Sequence, residues 1–564
     1  MGYRICRFWK ISFWWWISRC LPASAFVDRV STVQLNSFGI LKPWHGQHPL
    51  GPLYMNNQAT PSSYLATCIP GLATTLAQEL EQFPSGISNI AVSGNSAVTF
   101  QATREASLRA LCWLRTAHRI LEFIATSPPN VLLYNRQDLY NFIQQTVFYE
   151  PERMEELLGD GQGGLLTISC KVVLNNPRYV PQDLSHSHFT GLTIKNAICD
   201  LVRDLRGDRP NVDLDDPDVP LVAIILGQAQ AHGTERGGAS ITLYRSLHPP
   251  LSLHKRGYRQ NQAIHKAALK ESLAAGLLLE AGWTTKVRQH KKPTATSYGK
   301  GSPFILVDPM AGSGSLIVEA AMMAADIAPG LMRIKCGVSG QSLPPVTRWK
   351  DNHVDTTQLW KQVLLDATKR AKEGLRFIQE TQWIQLYAND IHGGALAILE
   401  ESLTNAGLTD LVTITQRDCY DLQLADDKHP YWVVTNPPWG VRLTEDVVDS
   451  WDGLRHFLRD NCPSNTEAWV LSGDRKATTM LKLKRDRMVP IQTGDQDLRW
   501  IQYTIRAPEK QHRAHEETNV QLDARTQSRP ISSQGSRIES KAQKATKAPP
   551  SPRPKTNKNE WLLD

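Results

Sequence analysis

Thr435-Asn436-Pro437-Pro438-Trp439-Gly440 comes straight after Tyr431–Val434, an apolar run that reads as a short buried strand. Two successive prolines end any strand and hold the chain extended, so the carbonyls there are free of a ladder. The Asn436 side-chain oxygen and the Pro437 carbonyl can then both accept hydrogen bonds from one amino group. Trp439 supplies a flat aromatic face for a base to stack on. An amine attached to an aromatic ring is a poor nucleophile because its lone pair is delocalised. Two acceptors holding its hydrogens favour a more pyramidal nitrogen and aim the lone pair at an electrophile, which is chiefly an orientation effect. Asn436, Pro437, Pro438 and Trp439 are therefore the candidate catalytic group.

A second motif, Asp308-Pro309-Met310-Ala311-Gly312-Ser313-Gly314-Ser315, lies between an apolar run and a helical pattern. Gly312 and Gly314 allow a tight turn and a close approach of ligand to a helix N-terminus. The next strand-like run, Ile384–Asp390, ends in an acidic residue, where α/β sites place a carboxylate against ribose hydroxyls. Asp418 follows the run after that. Three acidic strand ends in successive units would share the carboxyl edge of one sheet, where such folds bind ligands.

The elements that must position these groups alternate. Phe304–Asp308 reads as a strand, Ser315–Ala325 as a helix, Ile384–Asp390 as a strand and Ala395–Asn405 as a helix. Strands Leu411–Thr415, Tyr431–Thr435 and Ala468–Leu471 follow. This order predicts an α/β fold with a mostly parallel sheet covered on both faces. The α/β pattern begins near Tyr64 and ends near Ile505. A polar turn at Asn211–Asp218 precedes the strand-like run Val219–Leu226, and a second boundary falls around Gly282–Ser302, where Lys286, Arg288, Lys291 and Lys292 are expected in a loop.

The 564 residues carry 63 Lys+Arg and 55 Asp+Glu, a net charge of +8, a mild lean towards an anionic partner. Nine Cys occur singly with no C-x-x-C pair, which argues against a disulfide framework and a structural zinc site. No motif supplies a metal-ligand cluster. Residues 1–25 hold Arg4, Arg7, Lys10 and Arg19 and no acid, around the apolar run Ile11–Ile17. That run is far short of the roughly 20 residues that span a bilayer, so no stable membrane association is expected. Ala23-Ser24-Ala25 fits a signal-peptidase site, and from Phe26 to Glu79 the only acidic residue is Asp28. A signal-like segment, 1–25, followed by a transit-like one, 26–60, resembles the bipartite presequence of plastid proteins in diatoms and related algae. Translation from Met55 would instead leave a cytoplasmic protein. Residues 507–564 carry 11 Lys+Arg against 7 Asp+Glu with few large apolar residues, a composition expected to stay disordered.

Asp-Pro-x-x-Gly-Ser-Gly followed by Asn-Pro-Pro-aromatic resembles the class I S-adenosylmethionine-dependent methyltransferases that act on exocyclic amines. Leu253-His254-Lys255-Arg256-Gly257-Tyr258-Arg259 and Ala268–Ala275 are similar to the segment that joins a THUMP domain to such a methyltransferase. Trp113–Leu121 and Arg209–Asp213 with Pro217-Asp218-Val219 are similar to the THUMP half. The likeness is greatest to bacterial 23S rRNA guanine-N2 methyltransferases. It implies a THUMP-containing RNA-binding region over 61–250, a linker and first helix over 251–302, and a Rossmann-like methyltransferase domain over 303–506. It implies further that Asp308, Pro309, Gly312, Ser313 and Gly314 line the methionine end of S-adenosylmethionine. Asp390 would bind its ribose and Asp418 its adenine, while Asn436 to Trp439 form the base pocket. Ala311, Ser315 and Trp439 stand where the family commonly has Cys, Thr, and Tyr or Phe. The chain ends soon after Ile505, without the second methyltransferase domain of some relatives, so one methylation rather than two is expected.

Recognition of RNA is assigned to the THUMP half, with Lys255, Arg256, Tyr258 and Arg259 as a basic-aromatic run near the site and Arg442 as a further phosphate contact. Three rivals remain on sequence grounds. A tRNA guanine-N2 methyltransferase shares the layout, and a protein-glutamine methyltransferase shares Asn-Pro-Pro-aromatic but needs no RNA platform. A non-catalytic ribosome-assembly factor could keep the fold, although intact Asp308, Gly312, Gly314, Asp390, Asn436 and Pro437 argue against it. No sequence feature sets an oligomeric state.

Overall fold

A computed structural model describes residues 61–147, 151–229, 236–259, 268–291, 303–350, 355–425, 428–439, 445–494 and 496–506. The presequence-like segments 1–25 and 26–60, the tail 507–564 and Arg442 lie outside them.

Seven strands form the first sheet: β1 (Ser62–Thr67), β2 (Ile87–Ser93), β3 (Ala97–Ala102), β4 (Arg119–Thr126), β5 (Ile168–Asn175), β6 (Val219–Ala229) and β7 (Arg236–Ser246). Their order is β2-β3-β1-β4-β7-β6-β5, antiparallel except for the β5–β6 pair. A parallel pair needs a crossover, and helix Ser187–Arg206 supplies it, packing on β5 and ending at Gly207 in the left-handed region (φ +84°).

The second sheet holds β8 (Phe304–Asp308), β9 (Ile384–Asp390), β10 (Val412–Gln416), β11 (Tyr431–Thr435), β12 (Glu467–Ser472), β13 (Arg485–Thr493) and β14 (Gln496–Thr504). The order β10-β9-β8-β11-β12 is parallel, as the alternating pattern predicts. Beyond it an antiparallel hairpin, β14 then β13, closes the edge. That hairpin and the 26-residue helix Thr356–Thr381 were not anticipated. The helix is readable in retrospect: Trp360, Val363, Ala367, Ala371, Gly374 and Ile378 recur at three- and four-residue spacing and are all buried. It packs on helix Arg104–Trp113 of the first half.

Helix Trp283–Lys291 corrects the loop expected over Gly282–Ser302, at least in its first part. Trp283 is fully buried and stacks on Trp432 of β11, at 5.1 Å between ring centroids, which ties the segment to the sheet as a helix. Lys286 pairs with Glu467 at 3.0 Å and Arg288 bonds Gln82, so neither is a free loop cation.

One buried cluster runs from Tyr64 in β1 to Trp500 in β14, so the two sheets share a core. Buried arginines donate across it to backbone carbonyls. Arg115 reaches Ile327 (2.9 Å), and Arg333 reaches Leu111 (2.8 Å) and Leu253 (3.1 Å). Among the described residues no single helix is long and apolar enough to cross a membrane.

Candidate active site

The Asp308 loop leaves β8 and turns into helix Ser315–Ala324, which no side chain caps. Gly312 and Gly314 both take positive φ, +55° and +78°. They do different things. A Cβ on Gly312 would meet nothing within 4 Å, so its backbone borders open space. A Cβ on Gly314 would run into Leu399, so the absence of a side chain there lets the helix Gly393–Ala406 close in. Ser313 is half-buried between them.

Asp308 is 1% exposed, and burial pushes its carboxyl up to about 8, with the Asp390 charge adding to the shift. Asp390, at the end of β9, accepts from the Gly312 N–H (2.8 Å) through Oδ2 and from the His392 N–H (2.9 Å) through Oδ1. It therefore braces the glycine loop while keeping lone pairs for hydroxyl donors. Asp418 is exposed and accepts from the Tyr420 N–H at 2.9 Å. The three acids do converge. Burial first, then the charges of Asp418, Cys462, Asp308 and Asp390, hold the Cys419 thiol protonated.

Asn389 was missed by sequence reasoning, and it fixes three strand ends at once. Its Nδ2 donates to the carbonyls of Pro309 and Arg417, both at 3.0 Å, and its Oδ1 accepts from Thr415 Oγ1 (2.9 Å) and the Arg417 N–H (3.1 Å). The only sequence signal is an amide beside the acid at a strand end. Asn389→Ala is expected to cost about 2–4 kcal/mol in urea unfolding, because buried partners lose their bonds. A loss below about 1 kcal/mol would show that water replaces the amide.

A second expectation concerns Asp308. Its folded carboxyl titrates at about 8 against an unfolded value near ~4. Between those values the unfolded chain ionises and the folded one does not, so this residue makes stability fall as pH rises from about 4 to about 8. Asp308→Asn removes that slope. The melting temperature of the Asn variant minus that of the parent, without cofactor, should grow from pH 5 to pH 8 in steps of about one unit. A constant difference would refute it.

Val433 pairs with Val307, so Asn436 leaves β11 beside the Asp308 loop. Pro437 is buried, and the Pro438 carbonyl accepts from Trp451 Nε1 at 2.8 Å. The half-buried Asn436 accepts through Oδ1 from Trp439 Nε1 at 2.9 Å, a bond the motif alone did not reveal. Tyr420 and His456 stack at 3.9 Å beside Asp418, a second feature missed.

The basic-aromatic run is corrected in part. Arg256 and Tyr258 are fully buried against Glu319, and Arg259 pairs with Glu271 at 3.4 Å, so none of these three offers a free phosphate contact. Lys255 is exposed. Among the described residues no group of three or more His, Cys, Asp or Glu is arranged to hold a metal.

Open space at Gly312, two buried acids and an exposed third at successive strand ends fit an extended, polar cofactor with hydroxyls and a cationic end. Residues 295–502 match the family described as RMKL-like, methyltransferase domain. Residues 63–121 match the RlmL ferredoxin-like domain and 167–229 the THUMP domain. The chain joins a THUMP domain to an RMKL-like methyltransferase domain.

Ribosomal RNA large subunit methyltransferase K/L of Shewanella baltica is 28% identical over 451 residues, 79% of this chain and 53% of that protein. The chain thus spans about half the length of the curated relatives it matches. Among solved structures, a possible methylase from Clostridium difficile shares the fold (TM-score 0.58, 19% identity, 79% of this chain and 99% of that one). So does a protein solved in complex with SAH (TM-score 0.58, 18% identity, 80% and 100%). The expected fold, a THUMP-containing half followed by a class I methyltransferase domain, is the one found.

Proposed function

We propose that this THUMP-methyltransferase moves a methyl group from S-adenosylmethionine to N2 of a guanine in large-subunit, 23S-type rRNA. The observation that carries the proposal is the placement of Asn436 and the Pro437 turn beside the Asp308 loop, through the β8–β11 pairing. The relatives' name, ribosomal RNA large subunit methyltransferase K/L, supports rRNA, and the Asn-Pro-Pro-aromatic turn supports an exocyclic amine.

S-adenosylmethionine, when bound, supplies an electrophilic methyl group on a sulfonium. Asp390 would hold the ribose hydroxyls, Asp308 the cationic methionine end, and Asp418 the adenine amine. Asn436 Oδ1 and the Pro437 carbonyl accept the hydrogens of the target amine and set its lone pair towards the methyl carbon. As the N–C bond formed and the methyl–sulfur bond broke, leaving S-adenosylhomocysteine, the amine would grow acidic, and water or a carbonyl would take its proton. The guanine must leave its stack, which costs a few kcal/mol in a duplex and less in a loop.

The test is methylation by the full chain of separate large-subunit rRNA and tRNA pools, followed by nucleoside analysis. N2-methylguanosine in rRNA is expected. Signal in tRNA alone would overturn the substrate, a methylated adenine would overturn the target atom, and no cofactor binding would leave an assembly factor.

The location proposed is a plastid, supported by Ala23-Ser24-Ala25-Phe26 and the acid-poor stretch after it. A fluorescent fusion of residues 1–60 should accumulate in plastids, and secretion or cytosolic fluorescence would refute this.

A further inference from the structure

Trp439 follows the Asn436-Pro437-Pro438 turn, and among Phe, Tyr and Trp only tryptophan carries a ring N–H. That N–H is used: Nε1 donates to Asn436 Oδ1 at 2.9 Å. The opposite edge of the indole is also fixed. A Cβ on Gly473, just past β12, would lie 2.9 Å from Trp439 Cε3 and 3.2 Å from Cζ3, so the ring rests where only glycine leaves room. The indole packs against the main core as well.

We infer that Trp439, seated on Gly473, is a positioning residue that presets the Asn436 amide for the incoming amine. The inference rests on the methyl-transfer reading above. The terminal torsion of an asparagine is broad and nearly two-fold, so its oxygen and nitrogen exchange places cheaply unless a partner discriminates between them. An indole N–H is a donor only, and so it accepts Oδ1 and rejects Nδ2 as its neighbour. A ring held at both edges therefore keeps Oδ1 in one place and leaves its second lone pair for an N–H of the substrate. Such preorganisation acts on the rate of transfer rather than on binding. The two atoms nearest a Cβ on Gly473 belong to the Trp439 ring, so its effect on Asn436 runs through that ring.

Trp439→Phe keeps an aromatic face and loses the donor. It should lower kcat by about three- to tenfold, the worth of one neutral hydrogen bond, and leave the KM for RNA and the cofactor affinity unchanged. Gly473→Ala should do the same by displacing the ring. The double variant should be no slower than either single one, since both act through one bond, and the smaller Phe ring leaves the room that the new Cβ needs. Multiplying effects, or a change confined to KM, would overturn the inference. An independent reading comes from ¹⁵N-indole NMR of the full chain. The resonance missing in Trp439→Phe belongs to Trp439, and it should shift in Gly473→Ala as its hydrogen bond breaks. A resonance that stays in place refutes the seat even if the parent methylates RNA. A parent that does not methylate removes the functional reading while the resonance still reports on the seat.

Discussion

Asn436→Ala is expected to slow methyl transfer by about 10²–10³-fold while cofactor affinity stays within about twofold. The separation follows from placement. The groups proposed to face the cofactor sit at the ends of β8 and β9 and just past β10, whereas Asn436 leaves β11 and bonds only Trp439 among the described groups. Removing its amide takes away one of the two acceptors proposed to aim the amine, and it frees the N–H of the half-buried Trp439, which can find water. Asn436→Asp keeps an acceptor for both the indole and the amine, so it should retain more activity than the Ala variant. Single-turnover rates at saturating cofactor give the comparison directly. A variant that transfers at the parental rate with only a raised KM would show that Asn436 binds the base without orienting it.

The sequence carried the second sheet and its carboxyl edge well, because both follow from local signals. Short apolar runs bounded by Asp or Asn-Pro-Pro define β8, β9 and β11 at their observed ends, and intervening helices force parallel order. Non-local partners were not legible. Lys255–Arg259 reads as an exposed phosphate-binding run because charged residues are seldom fully buried. The acidic partner of Arg256 and Tyr258 lies more than 60 residues on, inside Ser315–Ala324, where every residue is buried. A signal existed there: Glu319 is the one charged side chain of an otherwise apolar helix, and a buried carboxyl needs a cation. The C-terminal hairpin escaped for another reason. β13 is exposed along most of its length, so it lacks the apolar run that marks the parallel strands. Asn389 was invisible because its four bonds reach the ends of two other strands, β8 and β10, which meet its own only after folding.

Arg256→Ala should be among the most destabilising single changes in the chain, at about 3–5 kcal/mol in urea unfolding. Its guanidinium is fully buried. Nε faces Glu319 Oε1 at 3.3 Å, Nη1 donates to the Leu253 carbonyl at 2.6 Å, and Nη2 donates to the Arg115 carbonyl. Tyr258 Oη completes the group at 3.4 Å from the same Glu319 oxygen. Truncation takes the cation from a buried carboxyl and the donor from the Arg115 carbonyl, while the Leu253 carbonyl keeps its bond from Arg333. Replacing both members, Arg256→Met with Glu319→Gln, should recover much of that loss, because the penalty lies in the unpaired partner more than in the absence of the pair. Glu319 belongs to the helix that opens from the Gly312-Ser313-Gly314 loop, so the Ala variant should also bind cofactor more weakly. Salt separates this account from phosphate contact. A phosphate-binding arginine would lower the slope of log affinity for RNA against log salt by about one. A buried one leaves that slope unchanged while the melting temperature falls, and the opposite pair of results would return Arg256 to the RNA surface.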